Sequence, residues 1–315
     1  MRISEDRRKL LKVATLYYDT GLTQAEIARK MSISRPVISK MLQQAKEDGI
    51  VKVSIHDDSA YAVKLSLELA DRYQLDEVII VPDNDYSPEL KIKRKVSEVA
   101  ADYLGSILEP NMSIGLSWGT TLADVIDALP FYSFPMIDVC PLVGGVSSEH
   151  LYYDTNHLAF RLSEKLNCRC QYAYFPALAE SGELADVLNK SEMLQTAMNH
   201  AMKVDLAIIG VGNPTKHSTW NELGYFDEQN MLNIKQDSIK GDAVASLFDK
   251  NGQTVNNTIS RRMLGIKVED LTGIPKVMVI GSGKEKAESI HPLLMGNYCS
   301  ILVTDQIAAE ALLAM

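Results

Sequence analysis

Residues 22–51 read LTQAEIARKMSISRPVISKMLQQAKEDGIV, and their spacing decides the architecture of the first part of the chain. Thr23 and Glu26 stand three apart at the head of an apolar-periodic run. This is the capping-box pattern, in which each side chain satisfies the other's free backbone donor. The helix so opened is predicted to end near Met31. Ser34 is placed to cap the next helix, Pro36 is tolerated in its first turn, and Gly49 lies just past its end, where a left-handed residue costs least. Ala28 is small where two helices must cross, and Ile27, Ile33, Ile38 and Met41 supply an apolar wedge. Upstream, Leu10, Val13, Ala14 and Tyr17 predict a first helix from Asp6 to Asp19, stopped by Gly21. A short helix, a turn of about three residues and a longer helix make the helix-turn-helix layout. The turn position usually held by glycine is Ser32, which requires either a positive φ or a different turn.

The third helix leaves Arg35, Ser39, Lys40, Gln43 and Gln44 on its outer faces. Arginine and glutamine read purine edges bidentately, whereas serine and lysine more often meet phosphate. The set expected to contact DNA is Thr23, Gln24, Ser34, Arg35, Ser39, Lys40 and Gln43. The competing reading is a plain three-helix bundle with a solvated face. Charge favours the former. Residues 1–56 carry 11 Lys/Arg against 6 Asp/Glu, a net of +5, while the remainder carries 21 against 35, a net of −14, giving the chain's −9. A basic head on an acidic body implies that the head alone meets a polyanion. A lone head of this size binds weakly, so two heads on two half-sites imply self-association.

The chain's 315 residues allow about two domains. No apolar run reaches the roughly 18 residues of a membrane span, and the start lacks a signal-peptide pattern. The four cysteines (Cys140, Cys168, Cys170, Cys299) form no CxxC pair, so neither a disulfide framework nor a zinc site is expected, and a cytoplasmic location is the default. Cys168 and Cys170 are expected to point to opposite sides of a strand. Residues 50–56 alternate like a short strand. Ala62, Leu65, Leu69 and Tyr73 form a helical stripe, read either as a linker or self-association helix or as packing on the body. This divides the chain into a helix-turn-helix domain (1–56), a linker or oligomerisation helix (57–76) and a ligand-binding domain (77–315).

From residue 77, short apolar runs alternate with amphipathic helices. Strands are expected at Val78–Pro82, Ser113–Leu116, Met136–Leu142, Gln171–Phe175, Leu206–Val211, Val277–Ile280 and Ile301–Thr304. Helices include one capped by Ser87, with Pro88 at its first position, and one from Lys284 to Leu294. Such alternation predicts an α/β fold with a doubly wound, mainly parallel sheet, whose ligands sit at the carboxyl ends of the strands.

The strand ends are where the chemistry gathers. Ser117, Gly119, Thr120 and Thr121 offer hydroxyls and close backbone approach at a helix start, a phosphate cradle without the Gly-Lys-Ser/Thr of a P-loop; no GxGxxG dinucleotide signature occurs either. Gly144-Gly145, Gly210-Val211-Gly212 and Gly281-Ser282-Gly283 end further strands, the last followed by Lys284 and Lys286 as counter-charges. Asp242 is a carboxylate suited to sugar hydroxyls. Each glycine pair alone is a tight turn; these three with Gly241-Asp242, four in all at successive strand ends, point to one crevice. The histidines form no metal or catalytic pattern, and Asp124 and Asp127 read as a solvated helix face. No catalytic, metal or cofactor residues are expected.

Together, the head, GLSWGTTL at 115–122, PLVGG at 141–145, GVGNP at 210–214 and GDAVASLFDKNG at 241–252 resemble the SorC-type, sugar-binding bacterial transcriptional regulators over nearly the whole length. The resemblance implies an effector domain similar to the glucosamine-6-phosphate deaminase, ribose-5-phosphate isomerase and CoA-transferase fold. It implies a phosphorylated sugar that changes operator affinity, and dimers that pair into tetramers; a repressor is expected more readily than an activator. By motif, Gly115, Ser117, Gly119, Thr120 and Thr121 would cradle the phosphate with Lys286 as its cation, and Gly144, Gly145, Asp154, Asn156 and Asp242 would meet the sugar, with Gly212 beside them. Where a deoxyribose-phosphate-responsive branch has a lysine, this chain has Val143, which cannot form a Schiff base. The rival reading from the same fold is a sugar-phosphate isomerase or deaminase bearing a DNA-binding head.

Overall fold

The computed structural model describes all residues except 1–4, 52–56, 58, 84–87, 147–151, 217–219, 221–222 and 227. The strand expected at 50–56 falls almost wholly outside them, as does Ser87. The chain divides into two compact units, Met1–Asp57 and Asp58–Met315.

In the first unit, α1 (Glu5–Ala14) continues into one π-helical turn, Thr15–Asp19, closed by Thr20 N–H on the Thr15 carbonyl at 3.1 Å. The capping box at the start of α2 (Gln24–Met31) forms as the spacing predicts: Glu26 Oε2 accepts from Thr23 N at 2.8 Å, and Thr23 Oγ1 accepts from Glu26 N at 3.3 Å. Ser34 holds the N-cap position of α3 (Arg35–Glu47), yet its hydroxyl makes no capping bond. Val13, Ile27, Ile38 and Leu42 form the small core, with Ala28, Ile33 and Met41 packed against it.

Ser32 takes the first of its two options, φ 54 and ψ 40 at the end of α2. Left-handed backbone strains a residue with a Cβ, and glycine adopts it freely. Ser32→Gly is therefore expected to stabilise the head by about 0.5–1 kcal/mol, relief of strain exceeding glycine's larger unfolded-state entropy. A urea midpoint that falls in this variant would show the serine to be unstrained.

The second unit opens with α4 (Ala60–Tyr73). The stripe read either as a linker or self-association helix or as packing on the body lies in this unit: Ala62, Leu65, Leu69 and Tyr73 are buried, and Arg72 donates to the Leu313 carbonyl at 2.7 Å. The strands are β1 (Glu77–Val81), β2 (Ser113–Leu116), β3 (Asp138–Pro141), β4 (Arg169–Cys170), β5 (Leu206–Gly210), β6 (Gly241–Ala243), β7 (Ser246–Phe248), β8 (Lys276–Ile280) and β9 (Ile301–Asp305). The helices after α4 are α5 (Glu89–Ile107), α6 (Thr120–Ala128), α7 (Thr155–Leu166), α8 (Gly182–Asn189), α9 (Glu192–Ala201), α10 (Glu228–Gln236), α11 (Lys284–Met295) and α12 (Gln306–Leu313). Seven strands form one sheet in the order β1-β9-β8-β5-β2-β3-β4, every pairing parallel.

Both faces are buried, as near-continuous apolar strands require. Ile208, Met278, Ile280, Ile301 and Val303 join the layer with α5, α6 and α7; their neighbours Ile209, Val277, Val279 and Leu302 join the opposite layer with α4, α9, α11 and α12. The alternation is the two-residue period of the strand.

Three expectations need correction. The strand expected at Gln171–Phe175 does not form. The Asn156 amide clamps the Ala173 backbone instead, Oδ1 accepting from Ala173 N at 2.7 Å and Nδ2 donating to Ala173 O at 3.1 Å. Cys168 and Cys170 do not diverge. Residues two apart on extended backbone share a face, and both pack against the same apolar layer; all four cysteines are free thiols. The long helix α5 begins at Glu89 with Pro88 as N-cap, one position later than its sequence implies. The hairpin β6–β7 was not foreseen. Its turn uses Val244 at φ 44, a β-branched residue where turn chemistry favours glycine or asparagine.

Lys267 closes that hairpin, donating to the carbonyls of Ala245 (2.8 Å) and Met263 (2.9 Å). Burial holds its ammonium down to about 8, against the pull of Asp270 and Glu269. The folded value lies below the ordinary one, so the charged form costs stability at and below pH 8, and that cost fades as pH rises towards 10.5. Relative to Lys267→Met, the parent's unfolding free energy is expected to gain roughly 2 kcal/mol between about pH 7.5 and about pH 9.5 in urea titrations. Parallel curves would show that the ammonium is well solvated.

Candidate functional site

In the first unit, Ser34, Arg35, Ser39, Lys40 and Gln43 are all exposed along α3, and Gln24 is half-buried at the start of α2. Thr23 is exposed, but its hydroxyl is engaged with Glu26 at 2.7 Å. Gln43 donates to Glu47 at 3.0 Å along the helix, and Gln44 to Asp48 at 2.7 Å. A base contact from Gln43 requires exchange of that bond, whereas Arg35 has no ion pair among the described residues.

In the second unit the strand order fixes where a ligand can sit. From β2 the chain steps outward through β3 to β4, then returns to the other side of β2 and runs through β5, β8 and β9. The reversal lies between β2 and β5, and open parallel sheets bind ligands at the carboxyl ends beside such a switch point.

Two strand-to-helix turns flank β5 there, built alike. Gly119 is the N-cap of α6 at φ 118, ψ 161, and Gly283 the N-cap of α11 at φ 91, ψ 151. This region of backbone is essentially restricted to glycine. Neither glycine has a side chain to cap its helix, so the first-turn N–H groups have no cap of that kind to satisfy them. Thr120 and Thr121 are half-buried at the first turn of α6, and Ser117 is buried, its N–H on the Ile208 carbonyl at 3.1 Å. Gly119 N–H bonds the Tyr153 carbonyl at 3.3 Å. Gly283 N–H bonds the Asp305 carboxylate, which also caps α12 through Ala308 N at 2.9 Å. Burial pushes the Asp305 carboxyl above its ordinary range, and these backbone donors pull it back.

The turn after β5 ties the two sides together. The Trp118 carbonyl lies against Gly210, and Lys286 Nζ donates to the Val211 carbonyl at 3.0 Å. Gly212 and Asp242 pair backbone to backbone at 2.9 and 3.0 Å, and a Cβ on Gly212 would sit 2.2 Å from the Asp242 carboxylate. A cavity of about 330 Å³ opens on this edge, lined by Asn213, Lys216, Ser282, Gly283, Lys284 and Lys286 among others. Three lysines line it together with the carboxylates of Glu285 and Asp305, and Lys216 is paired with Glu288 at 3.1 Å, so the cationic side of the cavity is the first turn of α11 with Lys284 and Lys286. On the α6 side, in a separate pocket shared with Arg94, Glu98, Asp124 and Asp127, Lys93 of α5 donates to Thr120 Oγ1 at 3.0 Å and pairs with Asp124 at 3.1 Å. Trp118 packs edge-to-face on Trp220, ring centroids 4.4 Å apart, so both tryptophans of the chain lie at this crevice.

Of the residues named from sequence, Ser117, Gly119, Thr120, Thr121, Gly212, Asp242 and Lys286 converge here. The other five make structural contacts of their own, and Gly145, Asp154 and Asn156 adjoin one another. A Cβ on Gly115 would meet the Leu142 side chain at 2.3 Å, and one on Gly144 the Pro176 backbone at 2.3 Å. Gly145 N–H bonds the Phe175 carbonyl at 2.9 Å. Asp154 caps α7 through His157 N at 3.0 Å and holds Val146 N at 2.8 Å, and Asn156 clamps Ala173. Sequence reasoning missed Lys93, Asn213 and Lys216, for which a single sequence holds no signal beyond their charge or polarity. It also missed that Gly115-Leu116-Ser117-Trp118-Gly119 spells the G-x-S-x-G of a nucleophile elbow. The geometry is not that of an elbow: Ser117 is buried and is not among the residues with positive φ. Among the described residues no His/Cys/Asp/Glu group could hold a metal, and no helix is long and apolar enough to cross a membrane.

A helix-turn-helix unit with a basic recognition face, joined to an α/β unit whose switch-point crevice suits an anion, defines a ligand-responsive DNA-binding regulator. The family model described as "Putative sugar-binding domain" matches residues 57–314. The chain is 29% identical to the sorbitol operon regulator of Klebsiella pneumoniae, covering 99% of this chain and 100% of that one, and 26% identical to the deoxyribonucleoside regulator of Bacillus subtilis, covering 98% of each. Among solved structures, full-length SorC from Klebsiella pneumoniae superposes with a TM-score of 0.77 at 28% identity, covering 98% of this chain and 100% of that one. A DeoR family regulator from Listeria monocytogenes gives 0.74 at 27%, covering 79% of this chain and 98% of that one. The chain belongs to the sugar-binding, SorC-type family of transcriptional regulators.

Proposed function

We propose that this chain is a cytoplasmic repressor of carbohydrate-utilisation genes whose operator affinity is set by a phosphorylated sugar bound in residues 77–315, while residues 1–56 grip the DNA. The observation that carries the reading is the pair of glycine-capped helix starts flanking β5, with Lys284 and Lys286 in the first turn of α11 and Lys93 at Thr120 in that of α6. Helix N-termini and lysines together favour a dianionic group, and Asp242 and Asn213 supply the polar partners a sugar hydroxyl needs. The first-turn threonines and Lys286 are the phosphate ligands; the carboxylate over Gly212 meets the sugar.

The ligand acts by binding the DNA-competent and incompetent arrangements unequally, since equal affinity would shift nothing. A hundredfold change in operator affinity corresponds to about 2.7 kcal/mol, within reach of two or three charge-assisted hydrogen bonds. Two heads on two half-sites require a dimer, and dimers pairing into a tetramer extend the grip to looped or tandem operators. The curated relatives are named as regulators, and the crevice is read as a sensor without turnover.

Thermal-shift screening against phosphorylated and unphosphorylated sugars tests the reading, because a ligand that binds only the folded state raises the melting temperature by mass action. The expected result is a shift confined to one or a few sugar phosphates. A shift from free sugars alone, or steady conversion of a sugar phosphate to product, would overturn it.

A further inference from the structure

Lys93 stands where helix electrostatics disfavour it. Its ammonium lies against the first turn of α6, at Thr120 Oγ1, the end of a helix that carries partial positive charge. A purely structural ion pair at that position would present a carboxylate to the helix start. Here the compensating anion, Asp124, sits one turn further in, 3.1 Å from Lys93 Nζ. Asp124 also has a second partner on its other side: the Tyr152 hydroxyl, 3.3 Å from Oδ1, which is shared with Asp127 at 2.8 Å. Asp127 is held in turn by Arg161. Losing Lys93 therefore leaves Asp124 hydrogen-bonded and next to a fixed network. The remaining charges beside Lys93, Arg94 and Glu98, pair with each other at 3.0 Å.

Resting on the sugar-phosphate reading above, we infer that Lys93 is a phosphate-binding residue of the effector site, with Asp124 the internal anion that holds it until phosphate arrives. Phosphate at the start of α6 takes the Lys93 ammonium from Asp124, so the two carry opposite signs: Lys93 binds the effector and Asp124 competes with it. The exchange sets a threshold. A free sugar, lacking the dianion, does not displace Asp124, so the pair discriminates phosphorylated from unphosphorylated ligand.

The opposite signs make the test sharp. Inorganic phosphate is titrated into the full chain, followed by the fluorescence of Trp118 and Trp220 and by melting temperature. Lys93→Met is expected to weaken phosphate binding at least tenfold, Lys93→Arg to stay within a few-fold of the parent, and Asp124→Asn to tighten binding several-fold. If Asp124→Asn and Lys93→Met both weaken binding, or if Lys93→Met leaves it unchanged, the pair merely ties α5 to α6 and the inference fails while the sugar-phosphate reading stands. A parent chain with no saturable phosphate response overturns both. The near-isosteric Asp124→Asn decides the outcome even where Lys93→Met disturbs folding.

Discussion

Thr120→Val combined with Lys286→Ala leaves DNA binding near that of the parent and removes the effector response. The two side chains approach the crevice from opposite sides of β5, one at the first turn of α6 and the other in the first turn of α11. Lys286 supplies a charge-assisted hydrogen bond of about 1.5–3 kcal/mol, and the threonine hydroxyl a neutral one of about 1 kcal/mol. Their joint loss weakens the effector by about two orders of magnitude. Neither residue lies in the unit that carries the recognition helix, so the operator affinity measured without ligand is the internal control. The measurement is anisotropy of a labelled duplex obtained by rounds of selection with the parent protein, with and without the sugar phosphate found by thermal shift. A double variant that still responds at the parent's ligand concentration places the phosphate elsewhere.

Arg35→Ala lowers specific DNA affinity by about 1–3 kcal/mol per half-site and relaxes base preference at one position. Arg35 is the first residue of α3, exposed, and without an ion pair among the described residues, so its guanidinium is available to a guanine edge. Lys40→Ala behaves differently. Loss of a phosphate contact weakens all sequences alike and reduces the salt slope by about one. Gln43→Ala has the smaller effect of the two readout candidates, because its amide already bonds Glu47. Competition binding against single-base variants of the selected duplex separates these outcomes. An Arg35→Ala protein with unchanged base preference removes that residue from readout.

The helices of the head and its Thr23–Glu26 box were legible, because caps and apolar periods act within a few residues, whereas Ser32 had two options, between which the fold chose the positive φ. The strands of the large sheet were legible for the same reason, apart from β4, expected at Gln171–Phe175 and formed at Arg169–Cys170, after which the Asn156 amide competes with the ladder for the Ala173 backbone. The hairpin β6–β7 was not, since Val244 gives no turn signal at its positive φ. At the crevice, glycine at 119 and 283 announced itself by type, but glycine at 115 and 144 looked identical and proved to be forced by Leu142 and Pro176 packed against it.

What the residues determine alone is therefore local: helices, caps, strands, a cationic head and an acidic body. Tertiary structure decided which strand ends adjoin. It inserted β5 between β2 and β8, set Lys93 of α5 against Thr120, and turned Asp154 and Asn156 into clamps. The physical reason is range. A capping bond or a two-residue period is satisfied by near neighbours in the chain, whereas strand order and the meeting of distant side chains follow only from how whole layers bury their apolar faces.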